Sequence, residues 1–131
     1  MSSVFTKIIK GEIPSYKIAE NENFLAFLDI NPLKIGHTLI VPKIEEDYLF
    51  DLSDDTLQEM MLFSKRVAKA MKKCIPCNRI GVSVVGLEVP HAHIHLIPID
   101  GISDMSFERP KLNIHNEKMK EIQRLITTNF I

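Results

Sequence analysis

The chain has no tryptophan, two cysteines and five glycines among 131 residues, and its formal charge at pH 7 is only -1. Each shortage excludes something. Two cysteines cannot staple a small secreted scaffold, and no staple is needed, because a chain of this length buries roughly two-thirds of its unfolded surface on folding. A charge so close to zero leaves no broad basic footprint, so neither nucleic acid nor a membrane is an expected partner. No apolar run approaches the about 18 residues of a membrane span, and Met1 to Lys10 lacks the apolar centre of a signal peptide. The expected compartment is the cytoplasm. With 45% hydrophobic and 25% charged residues, the composition is that of an ordinary globular domain. No repeat or linker divides it, so one domain is expected over 1–131, with its core in 3–100 and a C-terminal loop and helix in 101–131.

The cysteines form Cys74-Ile75-Pro76-Cys77, a spacing that invites redox or zinc chemistry. A reactive pair of this kind places its thiol at a helix N-terminus; this one follows Lys72 and Lys73 at a predicted helix C-terminus, where the dipole opposes a thiolate. No second pair exists to complete a zinc site. The motif reads as a turn carrying reduced thiols.

What the chain does have is Val89-Pro90-His91-Ala92-His93-Ile94-His95-Leu96-Ile97-Pro98, which holds three of its five histidines. On an extended strand His91, His93 and His95 line one face, spanning roughly 13 Å, while Ala92, Ile94 and Leu96 line the other. Packed or surface histidines account poorly for such phasing. Imidazole is both a nucleophile titrating near neutrality and a common metal ligand, so the row itself admits covalent catalysis or metal binding.

Around the row the chain alternates helices and strands. Ser3 caps a short helix presenting Phe5, Ile8 and Ile9, ended by Gly11 and Pro14. Tyr16 to Ile18 and Phe24 to Leu28 read as a hairpin around Glu20-Asn21-Glu22-Asn23; a Pro/Gly loop from Asp29 to His37 leads to a third strand, Thr38 to Val41. Ser53 caps a long helix whose Leu57, Met60, Met61, Ser64, Val67, Ala68 and Met71 form a core stripe. Arg79 to Val85 and the histidine run are expected to pair antiparallel through Gly86-Leu87-Glu88. Asn116 caps a last helix that buries Met119, Ile122 and Ile126. The order αββ(β)αββα predicts one α+β domain.

The run His91-Ala92-His93-Ile94-His95-Leu96-Ile97 resembles the HφHφHφφ signature of the histidine triad (HIT) family, φ being apolar. The likeness extends through Phe5-x-Lys-Ile-Ile, Gly11-Glu12-Ile13-Pro14, Phe27-Leu28-Asp29-Ile30-Asn31-Pro32, Gly36-His37-Thr38 and Val41-Pro42-Lys43, as in the Hint-like branch. It implies an antiparallel sheet of about five strands with a long helix packed on it and short terminal helices. It also implies a hydrolase or transferase acting at the α-phosphorus of nucleoside 5′-phosphoramidates or related nucleotidyl derivatives. His93 would be the nucleophile, flanked by His91 and His95 and joined by His37; Asp29 would hold the ribose hydroxyls, and Phe5, Ile8, Ile13, Phe27 and Ile30 would enclose a purine. Glu88 and Val89 complete the implied nucleotide-binding set, and backbone N–H groups of Gly86 to Val89 suit a phosphate clamp. The family's usual state is a homodimer, and no cofactor is implied.

The chain departs from the family at three places. Leu87 and Glu88 replace a usual Gln and a Ser or Thr, and the Asn and Gly usual a few residues earlier are not matched in the Ile80 to Val85 run. Ser3 and Thr6 stand where zinc-bearing members have a CxxC pair, whose partner histidines match His37 and His91; hydroxyls ligate zinc poorly, so no metal is expected. The alternatives are a catalytically weak nucleotide-binding or sensing module and a metal-dependent hydrolase on the histidine cluster.

Overall fold

In the computed structural model, which describes residues 2–131, helix α1 (Val4–Ile9) precedes strands β1 (Lys17–Glu20), β2 (Phe24–Leu28) and β3 (Thr38–Pro42). Helix α2 (Asp54–Cys74), strands β4 (Arg79–Ser83) and β5 (Ile94–Ile99), and helix α3 (Asn116–Asn129) follow, with 3-10 turns at Leu49–Asp51 and Ile102–Met105. The strands form one antiparallel sheet in the order β1-β2-β3-β5-β4. No helix among the described residues is long and apolar enough to cross a membrane.

The two faces of the sheet bury different things. Phe24, Ala26 and Leu28 of β2, Ile40 of β3, and Ile94 and Leu96 of β5 meet Met60, Phe63, Val67 and Met71 of α2 and Met119, Ile122 and Ile126 of α3. Burying each large side chain there stabilises the fold by about 1.5–3 kcal/mol. Leu25, Phe27, Leu39 and Val41 point the other way and pack with Phe5, Ile8 and Ile9 of the first helix and with Val89. Because β2 and β3 are covered on both sides, they read as continuous apolar runs.

Local chemistry sets the boundaries. The Ser3 and Ser53 side chains accept from the N–H groups of Thr6 and Thr56, capping α1 and α2. Gly11, at φ +79°, ends α1 in the left-handed conformation that glycine adopts without strain. Strand β1 extends past Ile18 to Glu20, which pairs with Lys17 and Lys43, and the turn tightens to Asn21, whose Oδ1 accepts from the N–H groups of Asn23 and Phe24. The α2 stripe also differs from expectation: Phe63 and Ala70 are buried, whereas Met61 is exposed, one position off the i, i+3, i+4 rows that face the sheet. His115, not Asn116, caps α3; the Asn116 carboxamide instead accepts from the Tyr16 hydroxyl.

The largest departure is in the histidine run itself. Strand β5 begins only at Ile94; His91 to His93 form an irregular segment, held by His91 N–H donating to Val89 O (2.8 Å) and Ala92 N–H to Glu46 O (2.7 Å). The Cys74 thiol donates back to Ala70 O at the C-terminus of α2, both cysteines are free, and burial raises the Cys74 pKa.

Both sheet edges are treated differently. On β1, the Gln123 amide and the Thr127 hydroxyl of α3 donate to the Lys17 and Ile18 carbonyls (2.8 and 3.0 Å), blunting that edge. At the opposite edge, β4 and its continuation leave Val82, Val84, Val85 and Leu87 exposed.

Candidate active site

Backbone groups dictate where each imidazole proton sits. The loop from Asp29 to His37 is closed by Asp29 N–H donating to His37 O (2.9 Å), and Gly36, at φ +93°, provides the turn that brings His37 inward. There the Leu33 N–H donates to His37 Nδ1 (3.0 Å). An amide can only donate, so a neutral His37 carries its proton on Nε2 and gives it to His95 Nδ1 at 2.9 Å. His95 in turn keeps its own proton on Nε2.

His93 is set the opposite way. Its Nδ1 lies 2.7 Å from the His91 carbonyl oxygen, which only accepts, so Nδ1 is protonated and Nε2 holds a free lone pair. No buried side-chain nitrogen or oxygen among the described residues lacks a partner, so Nε2 of His93 and of His95, which have none, are open to the cavity. The rings of His93 and His95 stand edge to face, centroids 4.9 Å apart, with Phe5 at 4.9 Å from His93 and Phe107 at 4.7 Å from His95. A lone pair and an N–H donor therefore stand side by side, locked between two phenyl rings.

The cavity in front of them has a volume of about 380 Å³, enough for a small-molecule ligand. Phe5, Ile8, Ile13, Phe27, Asp29, Ile30, Glu88, Val89, His37, His93 and His95 all line it. His91 does not: its Nε2–H donates to Pro42 O (2.8 Å) and its Nδ1 accepts from the Ser3 hydroxyl (2.7 Å), so it supports the His93 segment from behind. The N–H groups of Gly86, Leu87, Glu88 and Val89 have no backbone acceptor among the described residues, leaving them free at the cavity wall. Sequence reasoning missed Leu39, Phe107 and Lys111 in the lining. Phe107 and Lys111 come from a loop after the triad that carries no motif.

Burial disfavours the charged form of His37, His93 and His95. Burial, reinforced by neighbouring positive charge, pushes His37 and His95 down to about 3, and burial lowers His93 as well. Burial also raises Asp29, opposed by the Asn31 N–H that its carboxylate accepts. The 3.6 Å contact between Asp29 and His37 is accordingly not an ion pair, because the imidazole is uncharged.

Two places invite a metal, and neither suits one. Asp29, His37 and His95 bring ligand atoms within 4.8 Å of one another, but the His37 nitrogen facing that centre carries the proton, since Nδ1 is occupied by Leu33 N–H. The second place is the corner of Ser3 and Thr6. The resemblance pairs those positions with His37 and His91, yet His37 is bound to His95; the fourth member of the corner is Glu45, whose Oε1 accepts from Ser3 N–H and the Thr6 hydroxyl at 2.6 Å each. Two hydroxyls, one carboxylate and one imidazole that already bond one another are a poor zinc donor set. These hydrogen bonds hold Glu45 down to about 2.

The site thus sits on a five-stranded antiparallel sheet of an α+β domain, with His37, His93 and His95 presented to one cavity, and comparison with known proteins identifies the class. Residues 10–102 match the HIT domain family, and the chain belongs to that family. It is 37% identical over 134 residues to an uncharacterised HIT-like protein of Borreliella burgdorferi, covering 96% of each chain. It is 45% identical over 96 residues to an adenosine 5′-monophosphoramidase of Saccharomyces cerevisiae, covering 72% of this chain and 61% of that one. A zinc-bound histidine triad family protein from Mycobacterium smegmatis superposes with a TM-score of 0.81 at 30% identity, over 98% of this chain and 93% of the other.

Proposed function

We propose that this HIT protein hydrolyses nucleoside 5′-phosphoramidates, with a purine in the apolar part of the cavity and His93 as nucleophile. The observation that carries this reading is the lone pair on His93 Nε2, fixed by the Nδ1–H bond to His91 O and exposed beside His95 Nε2–H. His93 Nε2 attacks the α-phosphorus, the P–N bond to the amine breaks, and the amine leaves with a proton from solvent. Water then attacks the phosphorus, the bond to His93 breaks, and a nucleoside monophosphate is released with a proton returned to solvent. His95 Nε2–H and the free N–H groups of Gly86 to Val89 donate to the phosphoryl oxygens where charge accumulates. His37 acts through His95, as a positioning residue. Asp29, beside His37 in the cavity lining, accepts from the ribose hydroxyls.

Glu88 selects the leaving group. It lines the cavity, and its charge acts on both His93 and Asp29. A second phosphate beside it meets a like charge, so phosphoramidates are cleaved better than dinucleoside polyphosphates. Assays on a panel of both classes test this: Glu88→Ser narrows the preference, by about tenfold, chiefly through faster polyphosphate cleavage. Equal gains on both classes, or none, contradict it. Nucleoside monophosphate binding with no turnover of any panel member supports a sensing module instead, a reading favoured by Leu87, whose side chain is 88% exposed where the family has a polar residue.

We also propose a homodimer formed through the β4 edge, where exposed valines flank unpaired backbone. Light scattering then gives twice the 15.0 kDa chain mass, and a mass of one chain contradicts it. The cytoplasm, where nucleotides and reduced thiols coexist, is the compartment that this reading assigns.

A further inference from the structure

Among the residues lining the active-site cavity, Lys111 is the single Lys or Arg, and it shares the lining with two carboxylates, Asp29 and Glu88. It comes from beyond residues 10–102, the part that matches the family. The segment from Asp104 to Leu112 is fastened as a strap across the catalytic side of the sheet. At one end the buried Asp104 carboxylate accepts from the N–H groups of Asp100 and Gly101 and from Arg109 (2.8, 3.2 and 2.8 Å), with Lys34 at 3.7 Å. At the other end Leu112 N–H donates to Pro32 O (2.8 Å), tying the strap to the loop that carries Asp29 and His37. Between the anchors Phe107 lies edge-on to His95 and His37, at 4.7 and 6.4 Å. The Lys111 ammonium is 5.2 Å from the centre of that phenyl ring and donates to Phe107 O at 3.2 Å. Its stem is therefore ordered, and its charge is felt at Asp29, His37 and His95 alike.

We infer that Lys111 is a phosphate-binding residue, delivered to the cavity by the C-terminal strap and taking the place of the polar side chains missing at Leu87 and Glu88. This deepens the proposed function and rests on its nucleotide site. A nucleoside monophosphate brings a dianion to a cavity whose other charged side chains are acidic and whose histidines are neutral. Backbone N–H groups supply dipoles but no net charge. The one ammonium in the lining offsets the carboxylates, and Phe107 keeps it over the histidine end of the cavity rather than in bulk water.

Calorimetry with adenosine 5′-monophosphate and with adenosine, on the wild type, Lys111→Ala and Lys111→Arg, tests the inference. Lys111→Ala weakens monophosphate binding by about tenfold, leaves adenosine binding unchanged, and flattens the dependence of monophosphate affinity on salt; Lys111→Arg restores both. Equal weakening of both ligands overturns it, since the strap would then serve packing alone. Unchanged monophosphate binding overturns it too, while leaving the nucleotide site standing. A wild-type protein that binds neither ligand overturns the nucleotide site and this inference together.

Discussion

Replacing His93 by alanine lowers the turnover of adenosine 5′-phosphoramidate by about 10⁴-fold or more, the scale seen when a nucleophile is removed. The effect is this large because nothing nearby can stand in. His95 presents an N–H rather than a lone pair, because its other nitrogen is committed to His37. His91 has both nitrogens engaged, by Ser3 and Pro42, behind the cavity wall. Nor does the variant lose its fold, because the His93 ring sits between Phe5 and His95 at the cavity surface and not in the cluster packed under α2. Steady-state assays on His93→Ala, paired with monophosphate calorimetry to show that the site survives, check this. Turnover near the wild-type level contradicts it.

Acid destabilises this protein earlier than carboxylate chemistry alone would. His37 and His95 have folded pKa values of about 3 against 6.5 for an ordinary histidine. Between those limits the unfolded chain binds protons that the folded chain refuses. Stability is therefore fully present above pH 6.5 and is lost as pH falls toward 3. Near pH 5 each of the two histidines adds up to about one proton to the slope, and His93, also lowered, adds in the same direction. Glu45 and Asp104, held at about 2, contribute with the same sign but only below their ordinary values of 4.5 and 3.8. Urea midpoints at pH 7, 6 and 5 isolate the histidine contribution: the midpoint falls across this window in the wild type, and His37→Gln reduces the slope by about one proton. A midpoint independent of pH from 7 to 5 shows that the cluster accepts protons without opening.

How far the sequence could be read depends on the range of the interaction involved. The alternation of His95 with Ala92, Ile94 and Leu96 follows from strand geometry, and those three residues do face α2. The serine caps at Ser3 and Ser53 and the glycine stop at Gly11 are equally local, and the structure has all three. What local pattern could not show is that Pro90 and the contact of Ala92 with Glu46 delay the strand to Ile94, which turns His91 out of the row. The corner of Ser3, Thr6, Glu45 and His91 joins positions up to 88 residues apart, and only the fold reveals that Glu45, not His37, completes it. Phe107 and Lys111 reach the cavity for a similar reason. Their place depends on the Asp104 anchor and the Pro32 carbonyl, neither of which leaves a trace in the spacing of residues.

The central claim is that His93 becomes covalently bonded to phosphorus, and the steric course of the reaction tests it most directly. Hydrolysis of an adenosine phosphoramidate made chiral at the α-phosphorus with sulfur and an oxygen isotope proceeds by two in-line displacements if His93 is the nucleophile. The account predicts overall retention of configuration. Inversion would mean that water attacks phosphorus directly and that His93 acts as a base or a binding group, contrary to the mechanism proposed.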